Sequence, residues 1–205
     1  MSPGSPAHGP VRLIGYFGYG SLVNAATLRT PHVAAHRATL RGWRRRWLSR
    51  PSGVGPGLAR TDLAFLSVVP DGGTAIEGLV VVDHLSSLAS LDEREALYER
   101  RDAHVDCGAA GWHHPDPPRA FLYVADEPPA REAFILRSYL DAVMQGYLTQ
   151  FGEAGLRRFV ETTDGFELPL LEDRESPVYP RHVATNASER AQFDALVPPR
   201  SPANR

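Results

Sequence analysis

Apolar and polar positions fall along this chain in blocks that predict strands and helices in mixture. The run Leu13 to Phe17 predicts a strand, and Asn24 to Arg29 a short helix closed by Pro31. Over residues 38–49, Leu40 is followed by alternation: Trp43, Arg45 and Trp47 face one way, Arg44 and Arg46 the other. That pattern predicts a long, partly exposed strand with one solvated and one core face. Strands are also predicted at 63–69, 75–83 and 120–125, with a shorter one within 102–107. Asp71-Gly72-Gly73 is a hairpin signal between the first two. Residues 86–100 read as a helix capped by Ser86 or Ser87. The strongest helix is 131–150, where Ile135, Tyr139, Val143 and Tyr147 recur every four residues on one stripe. Further helices are predicted at 153–162 and 187–196, and loops at 51–57 and 113–118. Early strands joined by short connections, with helices after them, favour an α+β fold over a doubly wound parallel sheet.

Composition narrows the classes. A chain of 205 residues with 42% hydrophobic content suits a single domain with a sizeable core. The expected domain is 12–200, with 151–200 as a C-terminal extension that covers a pocket or makes a homodimer contact. Flexible termini are expected at 1–11 and 201–205. A net charge of -2 supplies no broad electrostatic attraction to nucleic acid or to an anionic membrane. The longest apolar cluster, Gly78 to Val82, is strand-sized, and no secretory leader is evident, so a cytoplasmic location and no membrane partner are expected. The single cysteine, Cys107, excludes an internal disulfide framework and suits a reducing compartment. All 22 basic residues are arginine, so neither a Schiff-base lysine nor a phosphate-loop lysine exists here.

The chemistry-bearing stretches are few. In "GYFGYGSLV", Gly18, Tyr19, Gly20, Ser21 and Leu22 follow the first strand. The glycine spacing does not fit a dinucleotide-binding turn. Two readings stay open: a tight turn with Tyr19 as a packing residue, or a main chain kept bare so that its N–H groups reach a polarised oxygen. Ser21 lacks the G-x-S-x-G context of a hydrolase nucleophile, and a hydroxyl that helps bind substrate fits better. The histidines show no zinc-type spacing, and His113-His114 with Asp116 in a proline-rich loop reads as surface rather than metal site. "RGWRRRW" interleaves basic and aromatic residues as single-strand nucleic-acid binders do, but a solvated strand face explains it as well; an arginine pairing with a substrate carboxylate is the further option. Within Asp92-Glu93-Arg94-Glu95, helical spacing turns Glu95 alone among the acids toward the stripe of Leu88 and Leu91. A carboxyl in so dry a place is costly unless it has a task, and general-base catalysis is such a task.

"YFGYGSLV" after an N-terminal strand, followed by "IEGLVVVDHLSSLASLDEREALY", resembles the gamma-glutamylcyclotransferase-like superfamily, which includes the ChaC-type glutathione-cleaving enzymes. The resemblance runs over residues 12 to 150. It implies a small mixed β-barrel flanked by helices. The implied reaction is intramolecular: the α-amine of a γ-glutamyl group attacks its own γ-carbonyl, giving 5-oxoproline and a released amine, amino acid or peptide. It implies Glu95 as general acid/base and Tyr19, Gly20, Ser21 and Leu22 as the turn holding the γ-glutamyl moiety. Tyr139 borders that site, and Tyr98, with Arg101, matches the aromatic and basic positions after the acidic signature. No metal or other cofactor is implied, and the partner is a small γ-glutamyl compound. Ala96 stands where the family often has Gly, so the helix is expected to run on past Glu95. The alternatives are a non-catalytic binding module of the same fold and a serine hydrolase using Ser21. The leaving amine is left open, its recognition expected from loops 51–57 and 108–118.

Overall fold

Strands β2 (Ala34–Arg50) and β3 (Leu63–His84) pair antiparallel along almost their full length and form the spine of the fold in a computed structural model of the chain. The structure describes residues 12–28, 31–50, 63–95, 98–108, 120–125 and 133–198. The sequence-predicted strands at 63–69 and 75–83 are therefore one element, not a hairpin. Arg41 pairs with Ala75 and Trp43 with Pro70, so a single residue of β2 opposes the four residues 71–74. The turn chemistry is genuine but serves a bulge. Asp71 accepts from the Gly73 N–H at 3.1 Å and from the Thr74 hydroxyl at 2.6 Å, which closes the excursion locally while both flanks stay paired with β2.

Strand β1 (Leu13–Gly18) lies antiparallel on β3, and a short α1 (Leu88–Arg94) follows β3 through a 3-10 turn at Leu85–Ser87. The chain then forms β4 (Glu99–Ala103), β5 (Val105–Asp106), β6 (Ala120–Val124) and β7 (Phe134–Leu136). Helix α2 (Arg137–Glu161), β8 (Thr163–Asp164), β9 (Leu170–Leu171) and α3 (Ala187–Leu196) complete the order. The sheet runs β4-β6-β1-β3-β2-β5, with β7, β8 and β9 attached to β3, β2 and β7. It is mixed: β1 is parallel to β6 but antiparallel to β3. The fold is α+β, with three α-helices among the described residues and a large mixed sheet. Among the described residues the end strands β4 and β5 do not pair with each other. No helix among them is long and apolar enough to cross a membrane.

The helix expected over 86–100 is shorter. It ends at Arg94, and Glu95 caps it with φ -102° and ψ 25°. Residues 99–103 instead pair with β6, Glu99 opposite Val124 through Ala103 opposite Ala120, and this ladder overrides local helix propensity. The short helix expected at 24–29 is a pair of 3-10 turns, Ser21–Val23 and Ala25–Thr27. In place of a helix from 131, residues 134–136 form β7, and the helix begins at Arg137. The stripe itself is correct: Ile135, Tyr139, Val143 and Tyr147 are all buried. The break expected between two helices after residue 150 is a kink at Gly152, whose φ of 67° leaves the helical region.

Helix α2 presses onto the turn that follows β1. Asn24 Nδ2 donates to the Ala142 carbonyl at 2.9 Å and to Gln145 at 3.0 Å. This approach needs Gly146. A Cβ there would stand 2.7 Å from the Asn24 main-chain nitrogen and 2.9 Å from its Cα. Gly146→Ala would gain about 1 kcal/mol of helix propensity, yet the clash is with main chain and cannot be relieved by a rotamer. A net destabilisation of about 1–2 kcal/mol is expected, read as a lower urea midpoint at unchanged slope.

The C-terminal segment is sewn to the same helix. Asp173 accepts from the Ser138 N–H at 2.7 Å, satisfying a donor in the first turn of α2, and from the Ser138 hydroxyl. Arg174 forks onto Asp141 at 2.7 and 2.9 Å and onto Asp194 at 3.0 and 3.1 Å. The fully buried Arg137 lies 3.6 Å from Asp141 and also pairs with Asp194. Two guanidiniums and two carboxylates thus lock residues 173–194 against α2.

Candidate functional site

The end of β1 delivers the chain into a cavity of roughly 200 Å³, below the roughly 300–1,000 Å³ typical of drug-sized ligands and suited to a moiety the size of one amino acid. Tyr19, Gly20, Ser21 and Leu22 form one wall, Phe65 and Leu66 of β3 another. Glu95, Tyr98, Tyr139 and Tyr179 line it further, with Arg181. All seven residues expected at a site from the sequence, Glu95, Tyr19, Gly20, Ser21, Leu22, Tyr98 and Tyr139, share this one cavity. Arg101 does not: it lies exposed on β4, 3.5 Å from Glu99.

The turn is held by its carbonyls and side chains, which leaves its first amides directed elsewhere. The Tyr19 carbonyl accepts from Arg45 Nε at 3.0 Å and from the Tyr147 hydroxyl at 2.9 Å. Gly20 and Ser21 carbonyls accept from Val23 and Asn24 N–H groups, both at 3.0 Å, forming the 3-10 turn. The N–H groups of Ser21 and Leu22 open that turn, where no acceptor exists within the turn itself. Gly20 is small for a reason: a Cβ there would meet the Tyr139 hydroxyl at 3.2 Å.

Tyrosine hydroxyls frame the cavity. Tyr19 donates to the Tyr123 carbonyl at 2.6 Å, and Tyr98 to the Leu66 carbonyl at 3.3 Å. Tyr123 donates to Asp92 at 2.6 Å, and Asp92 lies 3.2 Å from Arg100 Nε, which braces the helix end that carries Glu95. Burial pushes the Tyr139 hydroxyl well above its ordinary range, reinforced by Tyr98, Tyr179 and Tyr19. Burial also pushes Tyr123 up, with the Asp92 hydrogen bond second. These hydroxyls therefore stay protonated at neutral pH and act as neutral donors and acceptors. Glu95 and Arg181 are the charged side chains among the described lining residues.

Glu95 does not project from a helical stripe as its sequence spacing suggested; it stands at the helix C-terminus. Its main chain is fixed on both sides, the N–H donating to the Leu91 carbonyl at 3.0 Å and the carbonyl accepting from the Tyr98 N–H at 2.7 Å. The side chain is half-buried. Ser21 accepts a hydrogen bond from the Tyr179 hydroxyl at 2.8 Å. No histidine among the described residues bonds its hydroxyl, so the partner needed to activate it as a nucleophile is not there.

Two contributors escape a reading of the sequence. Tyr179 and Arg181 come from the extension, where "SPVYPRH" has no period that assigns a face; only its prolines hint at an ordered wrap. Arg45 sits on the core face of β2, as the alternation required, but is wholly buried and grips main-chain carbonyls rather than a substrate carboxylate. Its neighbours Arg44 and Arg46 lie 2.7 and 3.7 Å from Asp164. Cys107 is half-buried, its thiol pushed up by burial and by Asp106, away from reactivity. His113, His114, Asp116 and the loops at 51–57 and 109–118 lie outside the described residues.

Residues 16–141, more than half of the chain, match the family described as gamma-glutamyl cyclotransferase, AIG2-like. A solved structure named gamma-glutamyl cyclotransferase is 14% identical, with 90% of this chain and 99% of that one covered and a TM-score of 0.55. The uncharacterized protein loc79017 from Homo sapiens is 15% identical over 89% of this chain and 98% of its own, at a TM-score of 0.53. YkqA from Bacillus subtilis is 21% identical, covering 75% of this chain but 56% of its own, at 0.52. At these identities the structural likeness is one of fold. No curated protein matches the sequence.

Proposed function

The chain belongs to the gamma-glutamyl cyclotransferase, AIG2-like family, and on that premise we propose that it is a cofactor-free cyclotransferase acting on a γ-glutamyl amide. One observation carries the reading. Glu95 and the Tyr19–Leu22 turn, far apart in sequence, line a single cavity sized for an amino-acid moiety.

The chemistry follows from few parts. The substrate's α-ammonium gives its proton to the Glu95 carboxylate, and the freed amine attacks the γ-carbonyl carbon. Negative charge grows on the carbonyl oxygen, and the Ser21 and Leu22 amides, which open a 3-10 turn lining the cavity, are its proposed donors. The new C–N bond closes the five-membered ring, and the proton held by Glu95 passes to the departing nitrogen as the old C–N bond breaks. The freed Glu95 carboxylate takes the second proton from the ring nitrogen and hands it to the released amine, which leaves as an ammonium. Products are 5-oxoproline and an amine, amino acid or peptide. Ring closure within one bound molecule supplies a large share of the rate through proximity. The protonated hydroxyl of Tyr139, beside Gly20, orients the glutamyl group against the turn.

The test is a panel of glutathione, γ-glutamyl dipeptides and γ-glutamyl amines, with 5-oxoproline followed by mass spectrometry. Release from at least one class is expected. Saturable binding of these compounds with no release from any would overturn the reaction and leave a binding module of the same fold.

A further inference from the structure

Arg181 stands out in the cavity wall. It is half-exposed, and its guanidinium lies 5.8 Å from the centre of the Tyr179 ring. Among the described residues that stacking is its one contact of a polar or aromatic kind, and no carboxylate pairs with it. Arg174 of the same segment and Arg137 at the start of α2, by contrast, are both committed to Asp141 and Asp194. A cation–π contact alone is a weak use of a guanidinium, whose planar fork matches a carboxylate.

The segment bearing it is rigid. Asp173 and Arg174 fasten it to α2, and Tyr179 is clamped between Ser21 and the Tyr139 ring, 4.9 Å away at 65°. His182 donates its N–H to the Tyr179 carbonyl at 3.0 Å just beyond. Arg181 is therefore presented from a fixed main chain, as a recognition residue requires. Ser21 and Tyr139 are buried and form the floor of the cavity, whereas Arg181 is partly in solvent, as are Leu22, Glu95 and Tyr98, and these half-exposed residues mark its mouth. A cavity this small holds the γ-glutamyl half, which puts the other half of the molecule at that mouth.

We infer that Arg181 selects the leaving group: it pairs with a carboxylate on the part of the substrate that departs, favouring γ-glutamyl amino acids and peptides over γ-glutamyl amines. This rests on the cyclotransferase reading, so its test uses ligands that cannot react. Glutaryl-alanine lacks the attacking amine and keeps a carboxylate in the leaving half; glutaryl-ethylamide lacks that carboxylate. Calorimetric titration of the wild-type protein is expected to show glutaryl-alanine bound about tenfold or more tightly, the worth of one charge-assisted bond. Arg181→Gln should bring glutaryl-alanine down to the ethylamide level and leave the ethylamide affinity unchanged; Arg181→Lys should recover part of the preference. Equal wild-type affinities, equal loss of both ligands in Arg181→Gln, or no binding of either at millimolar concentration would each overturn it. Equal loss would assign the guanidinium to the shared glutaryl carboxylate instead. Turnover of γ-glutamyl-alanine and γ-glutamyl-ethylamide is measured separately. A binding preference without 5-oxoproline would refute the reaction and keep the recognition.

Discussion

Under the proposed reaction, Glu95→Gln is expected to release 5-oxoproline about 10²- to 10⁴-fold more slowly than the wild type, the usual worth of a positioned general base. The substitution keeps size and shape and removes only the ability to take a proton. The main-chain hydrogen bonds of Glu95 to Leu91 and Tyr98 remain in this variant. The melting temperature is therefore expected to stay within a few degrees, and the affinity for glutaryl-alanine within a few-fold. A fall in turnover with KM nearly constant is the pattern of a lost transition-state interaction. Full activity in this variant would remove Glu95 from the mechanism. Activity lost together with the cooperative melt would show a structural residue instead.

Serine chemistry makes the opposite forecast. If Ser21 attacked substrate, Ser21→Ala would abolish release and a fluorophosphonate would label the protein. Its observed partner, the Tyr179 hydroxyl, donates to the serine oxygen rather than accepting from it, and so is not the adjacent base that an attacking serine needs.

How far the sequence led is best judged element by element. Helix α2 is legible because Tyr139, Val143 and Tyr147 repeat at the helical period, yet its residues from Arg137 to Met144 are buried on every side, so that period marks the helix without marking a single core face. The inward placing of Arg45 and Trp47 was legible from strand alternation. The Asp71-Gly72-Gly73 signal misled because a local turn preference says nothing about which strand the flanks pair with. Only the distant partner β2, continuous across it, decides that. Glu95 was found by a helical argument whose helix stops one residue short. Glu95 lines the cavity all the same, from the helix terminus, and what ends the helix there is the β4–β6 ladder, a pairing between segments distant in sequence. Tyr179 and Arg181 were invisible for the same reason. Their place depends on Asp173 and Arg174 meeting α2, a contact no periodicity encodes.

Arg45→Met should be the most damaging substitution to stability outside a direct core deletion, and it should also reach the active turn. Arg45 is 0% exposed. Burial lowers its guanidinium from the ordinary value, and the Tyr147 hydroxyl and Glu77 only offset that loss. In return its fork donates to the carbonyls of Tyr19 and Glu77 and to Thr162 Oγ1 at 2.8 Å, with a further bond to the Tyr147 oxygen. Its plane also lies 4.9 Å from the Tyr147 ring centre and 5.3 Å from that of Phe159. Methionine fills the volume and relieves the desolvated charge but strands these acceptors. Tyr147, its hydroxyl pushed up to about 12 by burial, keeps its proton but has a single one for the Tyr19 and Glu77 carbonyls together. One buried carbonyl then goes unpaired, and charge-assisted bonds are lost with it. About 3 kcal/mol is the expected cost, a fall in Tm of roughly 6–12 °C at this chain length. Lysine in the same place, Arg45→Lys, restores the charge but not the fork, and should recover only part of the loss. The Tyr19 carbonyl ties the start of the turn that carries the Ser21 and Leu22 amides to the core, so turnover should fall alongside stability, by KM and kcat together. A Tm change below about 2 °C, which corresponds to less than 1 kcal/mol, would mean that the turn is held by Tyr147 alone and that Arg45 is dispensable.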